Sequence, residues 1–149
     1  MYKHILISTD GSEVAQKGVD HGLSLAKALG ARATIITVTD PFPIYAGSTV
    51  AGWAPGPADM EGYEEGQKEY ATKVLAAAKA EAAKLGVEAN GIHVPDARAA
   101  EAIVETATAE NCSLIVMSSH GRRGLGRLLL GSQTSEVLSH SPVPVLVVR

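Results

Sequence analysis

Short apolar runs rich in β-branched residues alternate along this chain with longer stretches of helical periodicity, and this alternation constrains the fold more than any other feature. The first run, KHILIS at 3–8, precedes Val14, Ala15, Gly18, Val19, Gly22, Leu23, Ala26 and Leu29, which recur on one face of a helix. Asp10 and Glu13 have the spacing of a capping box at its start, with Ser12 as the alternative cap. Gly30 stands where a helix end takes a left-handed residue, and RATIITV at 32–38 is the second run. Strand, helix and strand in this order make a βαβ unit. Runs that are apolar throughout, rather than alternating, belong to a parallel sheet covered on both faces.

From Thr39 to about Met60 the regularity breaks, because prolines 41, 43, 55 and 57 and glycines 47, 52 and 56 exclude regular structure over most of it. The single Phe, Phe42, and the single Trp, Trp53, lie there. A loop of this length either packs on the domain or a partner subunit, or covers a ligand. A helix follows at 61–85, with Ala71, Val74, Leu75, Ala78, Ala82 and Leu85 as its apolar stripe and Gly86 as its end. Next come a polar, edge-like strand at 87–94, a helix at about 97–110 with Ala100, Ile103, Val104 and Ala107 inward, and a strand at 113–117. A helix at about 132–139 and a strand at 143–148 close the order β-α-β-loop-α-β-α-β-α-β. No repeat or linker divides it, so residues 1–149 form a single domain.

With a net charge of −3, the chain lacks the broad basic face that nucleic-acid binding needs. No apolar run reaches the roughly 18 residues of a membrane span, and the opening MYKHILIST is not that of a secretory leader, so a cytoplasmic protein is expected. One cysteine, Cys112, excludes an internal disulfide and a cysteine-built metal site and reads as an inert packed thiol.

The strand at 113–117 runs into a glycine-rich stretch: Gly121, Gly124 and Gly126, then Gly131 just ahead of Ser132 and Thr134. Backbone N–H groups converge on an anion where glycines remove Cβ interference and a helix N-terminus follows, which is a phosphate cradle. Arg122, Arg123 and Arg127 either neutralise phosphate or solvate an exposed loop. The first strand ends at Ser8, Thr9 and Asp10; if it neighbours the strand at 113–117, both loops border one crevice, at the point where strand order reverses. Asp10 is suited either to a ribose or phosphate-bound Mg²⁺, or to capping the first helix. His120 stands where a proton-transfer group would, but no triad or carboxylate pair accompanies it, so no catalytic residue is assigned; it reads as a structural histidine placed beside Gly121 among the nucleotide-binding residues. His4, His21, His93 and His140 show no metal-ligand spacing.

The opening KHILISTDGS, the valine and acidic residue near the end of the second strand, LIVMSSHG and the closing SPVPVLVVR together resemble the universal stress protein A family over nearly the whole length. The family's nucleotide motif is Gly, two residues, Gly, nine residues, then Gly with Ser or Thr. Gly121 matches the second glycine, residues 122–130 the nine, and Gly131-Ser132 the end; Ser118 holds the first glycine position, a departure that adds a side chain near the ribose. The resemblance implies an α/β, Rossmann-like open sheet of five parallel strands, order 3-2-1-4-5, with helices on both faces. It implies a homodimer formed through the last strand, between Val143 and Val148, and binding of ATP or another adenine nucleotide, with or without Mg²⁺. Carried onto this chain, Asp10 and Val38 border the adenosine, Met117 the base and Ser118 the ribose, while Gly121, Gly131, Ser132, Gln133 and Thr134 hold the phosphates. Three functions follow: a nucleotide-binding stress-response regulator, a slow Mg-dependent ATPase, and a ligand-free dimeric stress protein acting through its surface. Against efficient hydrolysis, the chain shows no P-loop lysine and no arranged base.

Overall fold

The computed structural model describes residues 1–44, 52, 54–120 and 130–149. In chain order the elements are β1 (His4–Ser8), α1 (Glu13–Leu29), β2 (Arg32–Val38), α2 (Pro57–Leu85), β3 (Ala89–Val94), α3 (Ala99–Ala109), β4 (Leu114–Ser118), α4 (Ser132–His140) and β5 (Val145–Val148). The strands form one sheet in the order β3-β2-β1-β4-β5, every pair parallel, as the resemblance implies.

The two-residue period of the strands divides the core into two layers. Ile5, Ile7, Ala33, Ile35, Leu114 and Val116 pack with Val19, Leu23 and Ala26 of α1 and Leu75, Ala78 and Ala82 of α2. Leu6, Ile36, Ile115 and Met117 pack on the other face with Ala100, Ile103 and Ala107 of α3 and Val137 of α4. Few aromatics are needed because α1 lies very close to the sheet. A Cβ on Gly18 would stand 3.1 Å from Ser118 N, and one on Gly22 would stand 2.7 Å from Ile7 Cδ1. These two glycines, one turn apart, are the face on which α1 meets β4 and β1.

Local chemistry refines several sequence boundaries. Ser12 is the working cap of α1, accepting from Ala15 N at 3.2 Å, while Asp10 Oδ1 accepts from Ser12 N at 2.9 Å. Gly30 and Gly86 take left-handed φ values of +62° and +74° at the ends of α1 and α2, as expected of helix-closing glycines. The irregular stretch ends earlier than its prolines suggest, because α2 begins at Pro57 rather than Glu61. Proline is compatible with a first helical position, where its missing N–H has no partner to lose, and Asp59 Oδ2 accepts from Gly56 N at 2.8 Å. Val14 and Leu29, the outermost members of the α1 stripe, are 40% and 43% exposed, so the inward face runs from Ala15 to Ala26. Among the described residues no helix is long and apolar enough to cross a membrane.

Candidate functional site

β1 and β4 are parallel neighbours, with Ile5, Leu6 and Ile7 paired to Leu114, Ile115 and Val116. The chain leaves β1 toward α1 on one face and leaves β4 toward α4 on the other. Their carboxyl ends therefore flank the reversal in strand order, where an open parallel sheet forms its crevice. The condition set by the sequence, that the first strand neighbours the strand ending at Met117, is met, so the loop that begins at Ser8, Thr9 and Asp10 starts beside the end of β4.

The β1 side of this crevice is built from backbone bonds. Thr9 N donates to Ile36 O at 3.0 Å, its carbonyl accepts from Thr37 Oγ1 at 3.0 Å, and its hydroxyl accepts from Gly11 N at 3.1 Å. Gly11 has φ +80°, and a Cβ there would lie 2.6 Å from both Tyr70 Oη and Val74 Cγ2. Tyr70 Oη donates to the Asp10 carbonyl, which pins this turn under α2. Asp10 thus serves the start of α1 through its carboxylate and α2 through its carbonyl.

On the β4 side, Ser118 and Ser119 are 7% and 5% exposed. Ser118 Oγ donates to His120 O at 2.7 Å, so the hydroxyl that replaces the first motif glycine is turned onto its own loop. Gly131 N donates to Ser119 O at 2.9 Å, and Thr134 Oγ1 reaches Ser118 O at 3.2 Å and Ser119 O at 3.1 Å. These bonds seat the N-terminus of α4 against the end of β4. Gly131 is the N-cap of α4 and brings no side chain to its first-turn N–H groups. That position has a local reason to be glycine as well, since a Cβ would sit 3.0 Å from Ser119 O.

Not every residue named from the sequence is open to the crevice. Met117 is 6% exposed and belongs to the layer under α3 and α4, with Val38 packed at that layer's margin. Gln133 Oε1 accepts from Ala100 N at 2.9 Å and so caps α3, whose own N-cap residue, Arg98, supplies no side-chain bond. Gly121, Arg122, Arg123 and Arg127, like Trp53, lie outside the described residues.

Sequence reasoning missed the tyrosines by which α2 holds the chain after β1 and after β2. Tyr63 Oη donates toward Asp40 O and Pro41 O at 3.1 and 3.3 Å, and its ring meets Phe42 edge-on with centroids 5.2 Å apart. Tyr63 and Tyr70 stand two turns apart on a helix otherwise rich in Ala, Glu and Lys, a spacing that marks one face. Nearby, His93 Nε2 and Thr39 Oγ1 are 2.8 Å apart; burial, then Lys68, holds the His93 pKa below its ordinary value.

Elsewhere, burial pushes the Cys112 thiol up to about 11, which keeps it protonated and inert. A concavity of about 250 Å³ lies at the opposite pole, lined by His4, Arg32, Glu88, Asn90 and Glu110. It sits at the amino ends of the strands, away from the α4 N-terminus, and is a poor match to the anion chemistry of the crevice. Among the described residues no group of three or more His, Cys, Asp or Glu is gathered to hold a metal ion.

The model of the universal stress protein family matches residues 1–149. A universal stress protein of Thermus aquaticus is 36% identical over 152 residues, covering 100% of both chains. Among solved structures, MJ0577, from Methanocaldococcus jannaschii, superposes with a TM-score of 0.77 at 31% identity, covering 99% of this chain and 96% of its own. A universal stress protein solved with cAMP gives a TM-score of 0.68 at 23% identity, covering 99% and 97%. One from Archaeoglobus fulgidus solved with dAMP gives 0.67 at 17%, covering 99% and 98%.

Proposed function

The chain belongs to the universal stress protein family, and from that premise we propose that it binds ATP or a related adenine nucleotide in the crevice between the ends of β1 and β4, as a cytoplasmic stress-response regulator. One observation carries the reading. At the strand-order reversal, Gly131 N and Thr134 Oγ1 bind the carbonyl at the end of β4, so the first turn of α4 is held at the crevice with no side-chain cap. The N–H groups at a helix N-terminus favour an anion, and phosphate is the natural fit. In this reading Gly131 and Ser132 hold phosphate, joined by Gly121, Arg122 and Arg123, while Ser8, Thr9, Asp10 and Val38 border the nucleoside. Relatives of the same fold solved with cAMP and dAMP support an adenine ligand. When bound, the nucleotide supplies a charged phosphate group whose presence changes the surface that partners meet.

The inward turn of Ser118 Oγ supports retention of the ribose end of the motif, because the hydroxyl is bonded to His120 O rather than projecting alone. The test is to denature freshly purified protein, chromatograph what is released, and measure thermal shift on adding ATP with and without Mg²⁺. Adenine nucleotide in the released fraction, or a rise in Tm with ATP, is the expected result. Neither signal, in a folded sample, overturns the reading.

The same reading includes a homodimer formed through residues 143–148. Its support is that β5 ends the sheet with no further strand beside it among the described residues, and Leu146 on it is 39% exposed.

A further inference from the structure

The first turn of α4 is held on two sides, and one of the ties comes from a residue that the family resemblance assigns to phosphate. α4 has nine residues, Ser132–His140, too few for a helix to be stable alone, so neighbouring elements set its direction. Toward β4, Gly131 N and Thr134 Oγ1 donate to the carbonyl of Ser119. Toward α3, Gln133 Oε1 accepts from Ala100 N at 2.9 Å. Ala100 stands in the first turn of α3, where backbone N–H groups have no partner within the helix, and the N-cap residue Arg98 supplies no side-chain bond. One turn along α4, both Glu136 oxygens accept from Arg98 Nη2 at 3.2 Å, but this pair is exposed and so contributes little. The chain entering α3 is fixed in turn, because Ala97 N donates to Thr39 O at 3.2 Å, just beyond the end of β2. Gln133 therefore ties α4 to a helix whose start is anchored beside β2, the strand on the other side of β1 from β4.

We propose that Gln133 is a positioning residue of the nucleotide site: by capping α3 it sets the direction of the first turn of α4, which then meets its ligand without rearrangement. This rests on the crevice being a nucleotide site. Gln133 acts through α3 and does not touch the nucleotide. Preorganisation of this kind raises affinity because the turn need not be ordered on binding.

The full chain is titrated calorimetrically with ATP as the parent, as Gln133→Met, as Arg98→Ser and with the two substitutions combined. Methionine keeps the length of glutamine and lacks its carbonyl oxygen. Serine at 98 caps α3 from its own N-cap, where the backbone is already extended at φ −81° and ψ 131°, so the double variant restores the cap without the tie to α4. Gln133→Met weakens ATP binding about three- to tenfold, the equivalent of one hydrogen bond. Arg98→Ser binds as the parent does, and the double variant stays weak, which separates placement of α4 from simple loss of stability in α3. Unchanged affinity in Gln133→Met, recovery in the double variant, or an equal loss in Arg98→Ser overturns the inference while leaving the nucleotide site in place. Hydrogen exchange at the Ala100 amide of the parent separates positioning from direct contact. Protection is kept or raised with ATP while Gln133 stays on α3; its loss with ATP, as the side chain leaves for the phosphate, overturns the inference. A folded parent that binds no ATP overturns both readings.

Discussion

The hydroxyl of Thr134 lies 3.1 Å from the carbonyl oxygen of Ser119, across a gap of fifteen residues, and both residues are almost fully buried. It lies 3.2 Å from Ser118 O as well, so one side chain in the first turn of α4 secures the last two carbonyls leaving β4. Thr134→Val keeps the shape and removes the donor. Ser119 O retains the N–H of Gly131, so the loss is that of one buried bond, about 1–2 kcal/mol. Urea denaturation shows this as a lower midpoint with an unchanged slope. An unchanged midpoint would mean that the tie contributes nothing.

Glycine substitutions separate positions that need a bare backbone from positions that do not. Gly66 lies within α2 with nothing within 4 Å of a built Cβ, so Gly66→Ala stabilises by about 0.5–1 kcal/mol. Gly11→Ala combines φ +80° with contacts of 2.6 Å to Tyr70 Oη and Val74 Cγ2, and destabilises by about 1–3 kcal/mol. Thermal unfolding of the two variants side by side checks the signs; a stabilised Gly11→Ala would contradict the geometry of this turn.

The framework was legible wherever one residue type has one physical use. RATIITV marked β2 at its observed limits, and Gly30 and Gly86 marked the ends of their helices, because an apolar β-branched run and a left-handed helix end each leave few alternatives. Pro57 was misleading, since proline breaks a helix interior but fits its first turn, and only the three-dimensional path shows which applies. The candidate site was legible as a place more than as a set of roles. That Asp10 follows β1, the strand beside β4, and that Gly131 opens the helix after β4 follow from motif and strand order. The use of Gln133 to cap α3 and the turning of Ser118 Oγ onto His120 O are settled by side-chain rotamers and by chain neighbours distant in sequence. Tyr70 was missed because its partner is a carbonyl sixty residues away, and a carbonyl leaves no signature in the side-chain pattern.

If two copies pair through β5, a charge on its exposed face opposes their association. Leu146 is 39% exposed within the single chain, so Leu146→Lys alters the outer surface more than the core. The expected result is a monomer by sedimentation velocity, against a dimer for the parent at the same concentration, with the far-ultraviolet circular dichroism retained. A parent that sediments as a monomer at every concentration would overturn the proposed interface.

Acid sensitivity follows from His4, at the pole opposite the crevice. The ring is 6% exposed, with Nε2 2.7 Å from Thr34 Oγ1, and Thr34 Oγ1 in turn donates to Asn90 Oδ1 at 2.7 Å. Because the threonine proton goes to Asn90, Nε2 supplies the hydrogen between His4 and Thr34, while Nδ1 is buried with no partner at full hydrogen-bond geometry among the described residues. Burial first, and then the Arg32 charge, holds the His4 pKa below its ordinary 6.5, against a smaller opposing pull from Glu110. The folded protein therefore binds fewer protons than the unfolded chain once the pH drops to about 6.5. The stabilisation is fully present above that value and is lost as pH falls from it toward and through the lowered folded pKa. His93, lowered by burial and by Lys68, adds a change of the same sign. Denaturation measured from about pH 7 to about pH 5 should show falling stability in the parent. The slope should be shallower in His4→Gln, whose amide can still donate to Thr34, and shallower again when His93→Gln is added. Identical slopes in parent and double variant would place the acid sensitivity elsewhere.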